Sequence, residues 1–239
     1  MNDYMQYAPN YMYLMEQYPN ARKDTVLDDG TMYMFDMLRI NKKTGGWFIL
    51  NGMSGREDWL TKLNLSIPTT RDEFEKCLIA IRDGDPNGNG QADEIPLSIN
   101  KDDINVFAGW FKVLNGFYLD GDTIKFGQLE NGYKDYLALM NKWYQEGLLD
   151  NEYLLNDSST LNTKVASGQV GFTYGALAGG LGTWTNMLAE NDPNAVITPI
   201  PYFPSVDGTP YMNYKVMESG TSQGVAISTN CKNVMMKKE

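Results

Sequence analysis

Residues 83–94 read DGDPNGNGQADE, the one stretch of the chain whose residue types and spacing point to definite chemistry. Calcium takes roughly six to eight hard oxygen ligands from carboxylates, side-chain amides and backbone carbonyls. Side chains at alternate positions of a tight loop can converge on one ion, and Gly88 and Gly90 permit the turn. Two registers are open. In the first, Asp83, Asp85, Asn87, Gly88 and Glu94 match the EF-hand pattern D-x-[DN]-x-[DN]-G-x5-E in full. In the second, the ion takes Asp85, Asn87, Asn89, the backbone carbonyl of Gln91, Asp93 and Glu94, which puts Pro96 at the twelfth position. The alternative to both is a solvated acidic turn with no metal. An ion held by a single loop is expected to pin geometry rather than to signal.

The rest of the chemistry is bounded by an absence. The 239 residues include no histidine. That removes Ser-His-Asp and Cys-His catalysis, histidine-ligated zinc and imidazole acid–base work. A hydrolase made from this chain would run on carboxylates, Tyr or Lys. Outside the loop the acidic clusters are Asp102/Asp103 and Asp120/Asp122, in or beside turns, and they read as solvated charge. Cys77 and Cys231 fit no C-x-x-C pattern, and Cys77 lies on an apolar helical stripe as a buried thiol. With 20 basic and 30 acidic residues the net charge is −10. An acidic chain without a basic block gains nothing at a phosphate backbone, so nucleic acid is excluded as a partner. No apolar run approaches the ~18 residues of a membrane span. The first residues lack the basic and apolar regions of a signal peptide.

The elements that must position these groups read as mixed α/β. Helices are expected over 4–18, 70–82, 101–119, 133–146, 160–167 and 181–190, with a short one beginning near Ser54 that turns Trp59, Leu60 and Leu63 inward. The best marked opens at Thr70, where Thr70 and Glu73 have capping-box spacing and Phe74, Cys77, Leu78 and Ile81 share a face. Trp59 and Trp143 sit on apolar stripes and read as core. Strands are expected over 32–38, 47–50, 170–174, 196–200 and 223–228, with a small hairpin at Asp120-Gly121-Asp122. A glycine-rich turn follows the third of those strands, at Gly175, Gly179, Gly180 and Gly182. No repeat of 20–50 residues is visible. The chain opens inside one helix and closes as another begins, so it reads as a piece of something larger.

The segment PTTRDEFEKCLIAIRDGDPNGNGQADEIPLS resembles a signature stretch of bacterial extracellular solute-binding proteins of ABC importers. The similar branch is the large lipoprotein type of the maltose-binding-like superfamily, with alginate-oligosaccharide-binding proteins among its members. GREDWLTKLNLSIP, YKDYLALMNKWYQEGLLDNEY and VASGQVGFTYGALAGGLGTW resemble further blocks of that branch, in matching order and spacing over nearly the whole chain. The resemblance implies an α/β fold with two lobes of the periplasmic-binding-protein type, of which this chain is a middle fragment: mainly the C-lobe plus hinge strands. Residues 1–44 would be the end of an N-lobe segment and its hinge, 45–215 the C-lobe, and 216–239 a truncated return strand toward the N-lobe. It also implies the second calcium register, with Asp85, Asn87, Asn89, Gln91, Asp93 and Glu94 as ligands of a structural ion.

The function implied is capture of an extracellular oligosaccharide, or another small solute, by hinge closure and its delivery to a membrane permease. The protein would be a non-catalytic monomer at the outer face of the membrane, as a lipoprotein, or in the periplasm. Sugar clefts pair aromatic faces with a few polar groups. Trp110, Tyr174, Trp184 and Arg56 are the candidates for that cleft. One departure is visible: Ala176 and Leu177 stand where maltose-binding relatives carry a tryptophan, so a maltodextrin ligand is not implied. Three other readings compete: a calcium-stabilised glycoside hydrolase with two carboxylates, a calcium-dependent adhesion module, and a peptide-binding member of the same family.

Overall fold

The helix start written into Thr70 and Glu73 forms as spelled. The Thr70 hydroxyl accepts from the Glu73 amide at 3.2 Å, and the Glu73 carboxylate accepts in return from the amides of Thr69 and Thr70. Helix α4 then runs Arg71–Asp83 and buries Phe74, Cys77, Leu78 and Ile81. Burial pushes the Cys77 thiol up to about 11, so it packs as an inert apolar group.

The structure is a computed structural model that describes residues 2–38, 51–209, 211, 219–228, 230 and 231. Two compact units divide it, Met1–Ile49 with Tyr214–Glu239, and Leu50–Asn213. The first holds helices α1 (Pro9–Gln17) and α2 (Pro19–Thr25) and the antiparallel pair β1 (Phe35–Leu38) with β8 (Ser219–Val225). The first helix ends before Pro19 as expected, and Pro19 then opens α2, because proline at the first helical position loses no needed N–H. The expected strand at 47–50 and the final helix after residue 231 lie outside the described residues.

The second unit is built on a four-stranded mixed sheet in the order β3-β6-β2-β7. Its strands are β2 (Asn51–Arg56), β3 (Ile95–Leu97), β6 (Val170–Ala176) and β7 (Ile197–Pro199). β6 is parallel to β3, and β2 is antiparallel to both β6 and β7. The carboxyl ends of β3, β6 and β7 therefore share one edge with the amino end of β2. Residues 54–56 were expected to enter a helix, but they finish β2, and α3 starts only at Glu57. The sequence NGMSGR lacks the β-branched residues that mark a strand. Gly55 is there because the Phe172 ring lies where its Cβ would be.

The core of this unit is aromatic. The Phe74 ring lies 6.0 Å from Trp110, 5.8 Å from Trp143, 4.8 Å from Phe172 and 5.5 Å from Phe203, centroid to centroid. Trp143 comes from α5 (Asn131–Gln145), and its indole nitrogen donates to Glu75 at 2.8 Å. Trp110 ends a 3-10 segment, Lys101–Phe111, where a regular helix was expected. A smaller cluster joins α6 (Ser158–Ala166) to α7 (Thr183–Asn191) through Leu161, Val165, Trp184 and Leu188.

The predicted hairpin is present as β4 (Phe117–Asp120) and β5 (Thr123–Phe126). Its register puts Phe117, Leu119, Ile124 and Phe126 on one face and Tyr118, Asp120, Thr123 and Lys125 on the other. Phe117, Leu119 and Ile124 are exposed, while Lys125 is held by Asp120 at 2.8 Å and Glu130 at 3.6 Å.

Phe74→Ala is expected to lower the unfolding free energy by about 3–5 kcal/mol, because it empties the centre of the aromatic cluster. Thr70→Ala should cost about 1 kcal/mol through the lost cap. Urea unfolding of both variants checks the two values, and equal losses would mean that Phe74 is not central.

Candidate functional site

Two regions of the second unit gather groups able to do chemistry. The first is the loop after α4. Asp83 is the last residue of that helix, and its carboxylate is taken by Arg82, Nε to Oδ1 at 2.7 Å and Nη2 to Oδ2 at 3.0 Å. Asp85 accepts the backbone amides of Gly88, Asn89 and Gly90 at 2.9–3.0 Å. Gly88 and Gly90 both have positive φ, which lets the chain fold back over that carboxylate. The side-chain amides of Asn87 and Asn89 donate to Asp93 Oδ1 at 3.1 and 3.0 Å, and Gln169 donates to Asp93 Oδ2 at 3.3 Å. The Asn89 and Asn87 bonds hold the Asp93 carboxyl below its usual range.

Glu94 stands apart from these bonds. Both of its carboxylate oxygens are buried and have no hydrogen-bond partner. Burial raises its carboxyl, more than the nearby backbone amides of Glu94 and Asn87 lower it, and the charges of Asp93 and Asp85 add to the rise. A desolvated carboxylate without a donor is costly, and a cation beside it removes the cost. Among the described residues no three His, Cys, Asp or Glu side chains gather as a metal group. The loop's oxygen-bearing side chains are mixed, carboxylates with the amides of Asn87 and Asn89, which is the hard-oxygen set that calcium accepts; here the two amide oxygens accept the backbone amides of Asn89 and Gln91.

The second region is the edge where β3, β6 and β7 end. Open α/β sheets bind ligands beyond the carboxyl ends of their strands. Tyr174, near the end of β6, is half-buried against the aromatic core and pairs in register with Met53. Tyr202 follows β7, and its hydroxyl donates to the Tyr211 carbonyl. Both groups press on Gly109, where a Cβ would collide with them. Burial raises the Tyr174 phenol, and the charge of Asp103 adds to that rise. Asp103 is half-buried and not solvated as expected, and burial with Asp102 beside it raises its carboxyl. Tyr202 was not singled out in the sequence. Its only signal is an aromatic residue between Pro201 and Phe203 just past a strand.

The other expected contacts are packed away. Trp110 is 3% exposed, wedged edge-on against Phe74, Phe107 and Trp143. Trp184 is also 3% exposed, and its indole nitrogen donates to Asn162 at 2.7 Å. Its ring lies against Gly175 and Gly180, so it props the glycine-rich turn after β6. Arg56 is buried at the far end of β2, in a two-point bond to Asp58 at 2.7 and 2.8 Å and a third to Asp192 at 3.3 Å. Its guanidinium also lies 4.7 Å from the Trp59 ring centroid. Neither indole offers an open face for stacking, and Arg56 has no free donor edge on the ligand side. Sequence position alone put these three near the cleft, whereas packing decides which way each points.

At the carboxyl end of β3 a buried polar network holds the segment that carries Asp103. Ser98 donates to Asp150 at 2.6 Å, Asn156 donates to Ser98 and Asp150 at 3.0 Å each, and Lys164 reaches Asp150 at 2.8 Å. Burial raises the Asp150 carboxyl, but Lys164, Ser98, Asn156 and the Glu152 amide outweigh it, and the net shift is downward.

No family model matches the chain. The fructooligosaccharide ABC transporter substrate-binding protein FusA of Streptococcus pneumoniae is 31% identical over 173 residues, 68% of this chain and 31% of that protein. The lipoprotein LipO of Bacillus subtilis is 32% identical over 131 residues, 48% of this chain and 24% of that protein. Homologues of the chain include solute-binding proteins of ABC transporters. The chain spans about a third or less of the length of these two relatives. The solute-binding fold extends over nearly all of it. The alginate-binding protein AlgQ2, in a crystal structure without calcium ion, superposes with a TM-score of 0.81 at 24% identity over 97% of this chain and 47% of that one. FusA in complex with kestose gives 0.73 at 23% identity over 93% and 46%.

The Asp150 network makes an acid prediction. A carboxyl depressed on folding contributes stability that is whole above its unfolded value, about 3.9, and is lost as pH falls through the folded value. Asp150→Asn should lower the melting temperature at pH 7 and flatten its fall below about pH 4. Melting curves from pH 7 to pH 2 check this, and parallel curves for the two proteins would mean that the network carries no linkage.

Proposed function

We propose that this chain is part of the substrate-binding component of an ABC importer, which captures an oligosaccharide outside the cell by hinge closure and delivers it to a membrane permease. The observation that carries this reading is the 31% identity with FusA, backed by the AlgQ2-like fold over 97% of the chain. Solute-binding relatives named as oligosaccharide binders are transport proteins, which supports a non-catalytic role. In this reading residues 1–44 close an N-lobe segment and hinge, 45–215 form the C-lobe, and 216–239 return toward the N-lobe. The protein works as a monomer on the outer face of the membrane. LipO is named a lipoprotein, and among the described residues no helix is long and apolar enough to cross a membrane.

The loop after α4 holds one structural calcium ion in the second register, through Asp85, Asn87, Asn89, the Gln91 carbonyl, Asp93 and Glu94. The unpartnered buried carboxylate of Glu94 supports the ion, and the Arg82 pairing of Asp83 disfavours the other register. A relative crystallised without calcium ion, and a FusA EF-hand mutant, agree with such a site. The ion would offset two of the three negative charges of Asp85, Asp93 and Glu94 and fix the start of β3, away from the ligand. At the ligand edge Tyr174 offers the stacking face. Trp110 and Trp184 support that edge from behind, and Arg56 braces β2 against α7.

Calcium at a hundred times its dissociation constant should add about 2.7 kcal/mol to stability. Asp93→Ala should abolish that gain and Asp83→Ala should keep it. Glu94→Gln should raise stability in chelator while shrinking the gain. Thermal unfolding in calcium and in excess chelator decides between the registers, and a folded sample indifferent to calcium would refute the site. Oligosaccharides incubated with the protein should release no new reducing ends, and turnover would restore the hydrolase reading.

A further inference from the structure

The loop after α4 is held from outside as well as from within. Lys62 donates to the Pro86 carbonyl at 2.8 Å, a contact with a residue outside the proposed ligand set. Gln169 reaches the ligands themselves. It lies 76 residues from Asp93 in sequence, yet its side-chain nitrogen donates to Asp93 Oδ2 at 3.3 Å, and its backbone carbonyl accepts the Ile95 amide at 2.8 Å. The two residues so bonded are the neighbours of Glu94 on either side. Gln169 thus grips the chain just before and just after the buried carboxylate that has no hydrogen-bond partner.

Local structure fixes Gln169 in turn. Gly168, at positive φ, follows the end of α6, and Val170 begins β6 in parallel register with Ile95. Gln169 is half-buried between them. An ionised carboxylate only accepts, so the amide nitrogen of Gln169 is the end that faces Asp93. The amide oxygen faces Ser167, whose hydroxyl donates to it at 3.0 Å. On Asp93 the two oxygens are divided. Asn87 and Asn89, from within the loop, take Oδ1, and Gln169, from outside it, takes Oδ2. The carboxylate is therefore held at both ends, with Oδ1 turned toward the loop.

We infer that Gln169 is a positioning residue of the calcium site: it sets the orientation of Asp93 and the course of the chain through Glu94, and it anchors both to the start of β6. Groups that orient a metal ligand from behind cost about 10–100-fold in metal affinity when they are mutated. A hydrogen bond of 3.3 Å adds little to stability by its own strength, so its value lies in direction. This inference rests on the calcium reading and adds to it a residue from outside the loop, which the spacing of the loop does not indicate.

The test replaces Gln169 with methionine, which keeps the length of the side chain and removes the donor, and with alanine as a second variant. Each full chain is stripped of metal with chelator, desalted and titrated calorimetrically with calcium at a temperature where all three proteins are folded. Both variants should bind calcium about tenfold or more weakly than the parent. In excess chelator the melting midpoint of Gln169→Met should fall by only about 2–4 °C, the worth of one modest hydrogen bond in a chain of this size. A residue with a merely structural role would lower the midpoint and leave the calcium dissociation constant of the folded protein unchanged. That result overturns the inference and leaves the calcium site standing. A folded parent chain that binds no calcium refutes the calcium reading, and the inference with it.

Discussion

The edge-on contacts of Phe74 are what the second unit depends on. One ring on α4 touches aromatic side chains from the 3-10 segment, from α5, from β6 and from the stretch after β7. Those four segments are far apart in sequence, and three of them carry or flank the ligand edge. Aromatic pairs prefer such tilted and T-shaped geometries and gain beyond the area they bury. A rigid ring cluster also fixes direction as well as distance. That is why Tyr174 and Tyr202 have settled positions at the sheet edge even though neither lies at its centre.

The same cluster explains what could be read from the sequence and what could not. The period of α4 and its capping box are local statements, so Thr70, Glu73 and the buried face of the helix were legible in advance. The short hairpin was legible for the same reason, through its Asp-Gly-Asp turn. The strand β2 was not legible. Gly55 admits the Phe172 ring, and the strand has no β-branched residue to announce it. Nor could spacing separate a tryptophan that lines a cleft from one that backs it. Trp110 and Trp184 have the right neighbours in sequence and the wrong exposure. Tyr202, which spacing did not select, is exposed just past β7. The acidic loop was legible as a ligand set because its chemistry is written in consecutive residues. Its register was not, since the pairing of Asp83 with Arg82 is a contact between side chains and not a pattern.

The two candidate regions serve different ends and lie at opposite ends of β3. The loop precedes the strand and gathers carboxylates, of which Asp85 and Asp93 take internal hydrogen bonds and Glu94 is left without one. The second region follows the strand, where Asp103 is half-buried. Between them, Ser98, Asp150, Asn156 and Lys164 form a buried polar link with nearly every donor used. Such a link gives β3 a definite end point, so that rigidity imposed at the loop is carried to the segment that presents Asp103.

The order β3-β6-β2-β7 also sets a schedule. β2 ends at Arg56, yet both strands that flank it, β6 and β7, begin more than a hundred residues later, at Val170 and Ile197. Until those residues are available, β2 has two open hydrogen-bonding edges, and loop closure over that separation must come before any gain from pairing. The chain therefore has a high contact order at its very centre. During synthesis its helices can form early, but its sheet closes last, and for that interval the early strand has to be kept from pairing with strands of other chains.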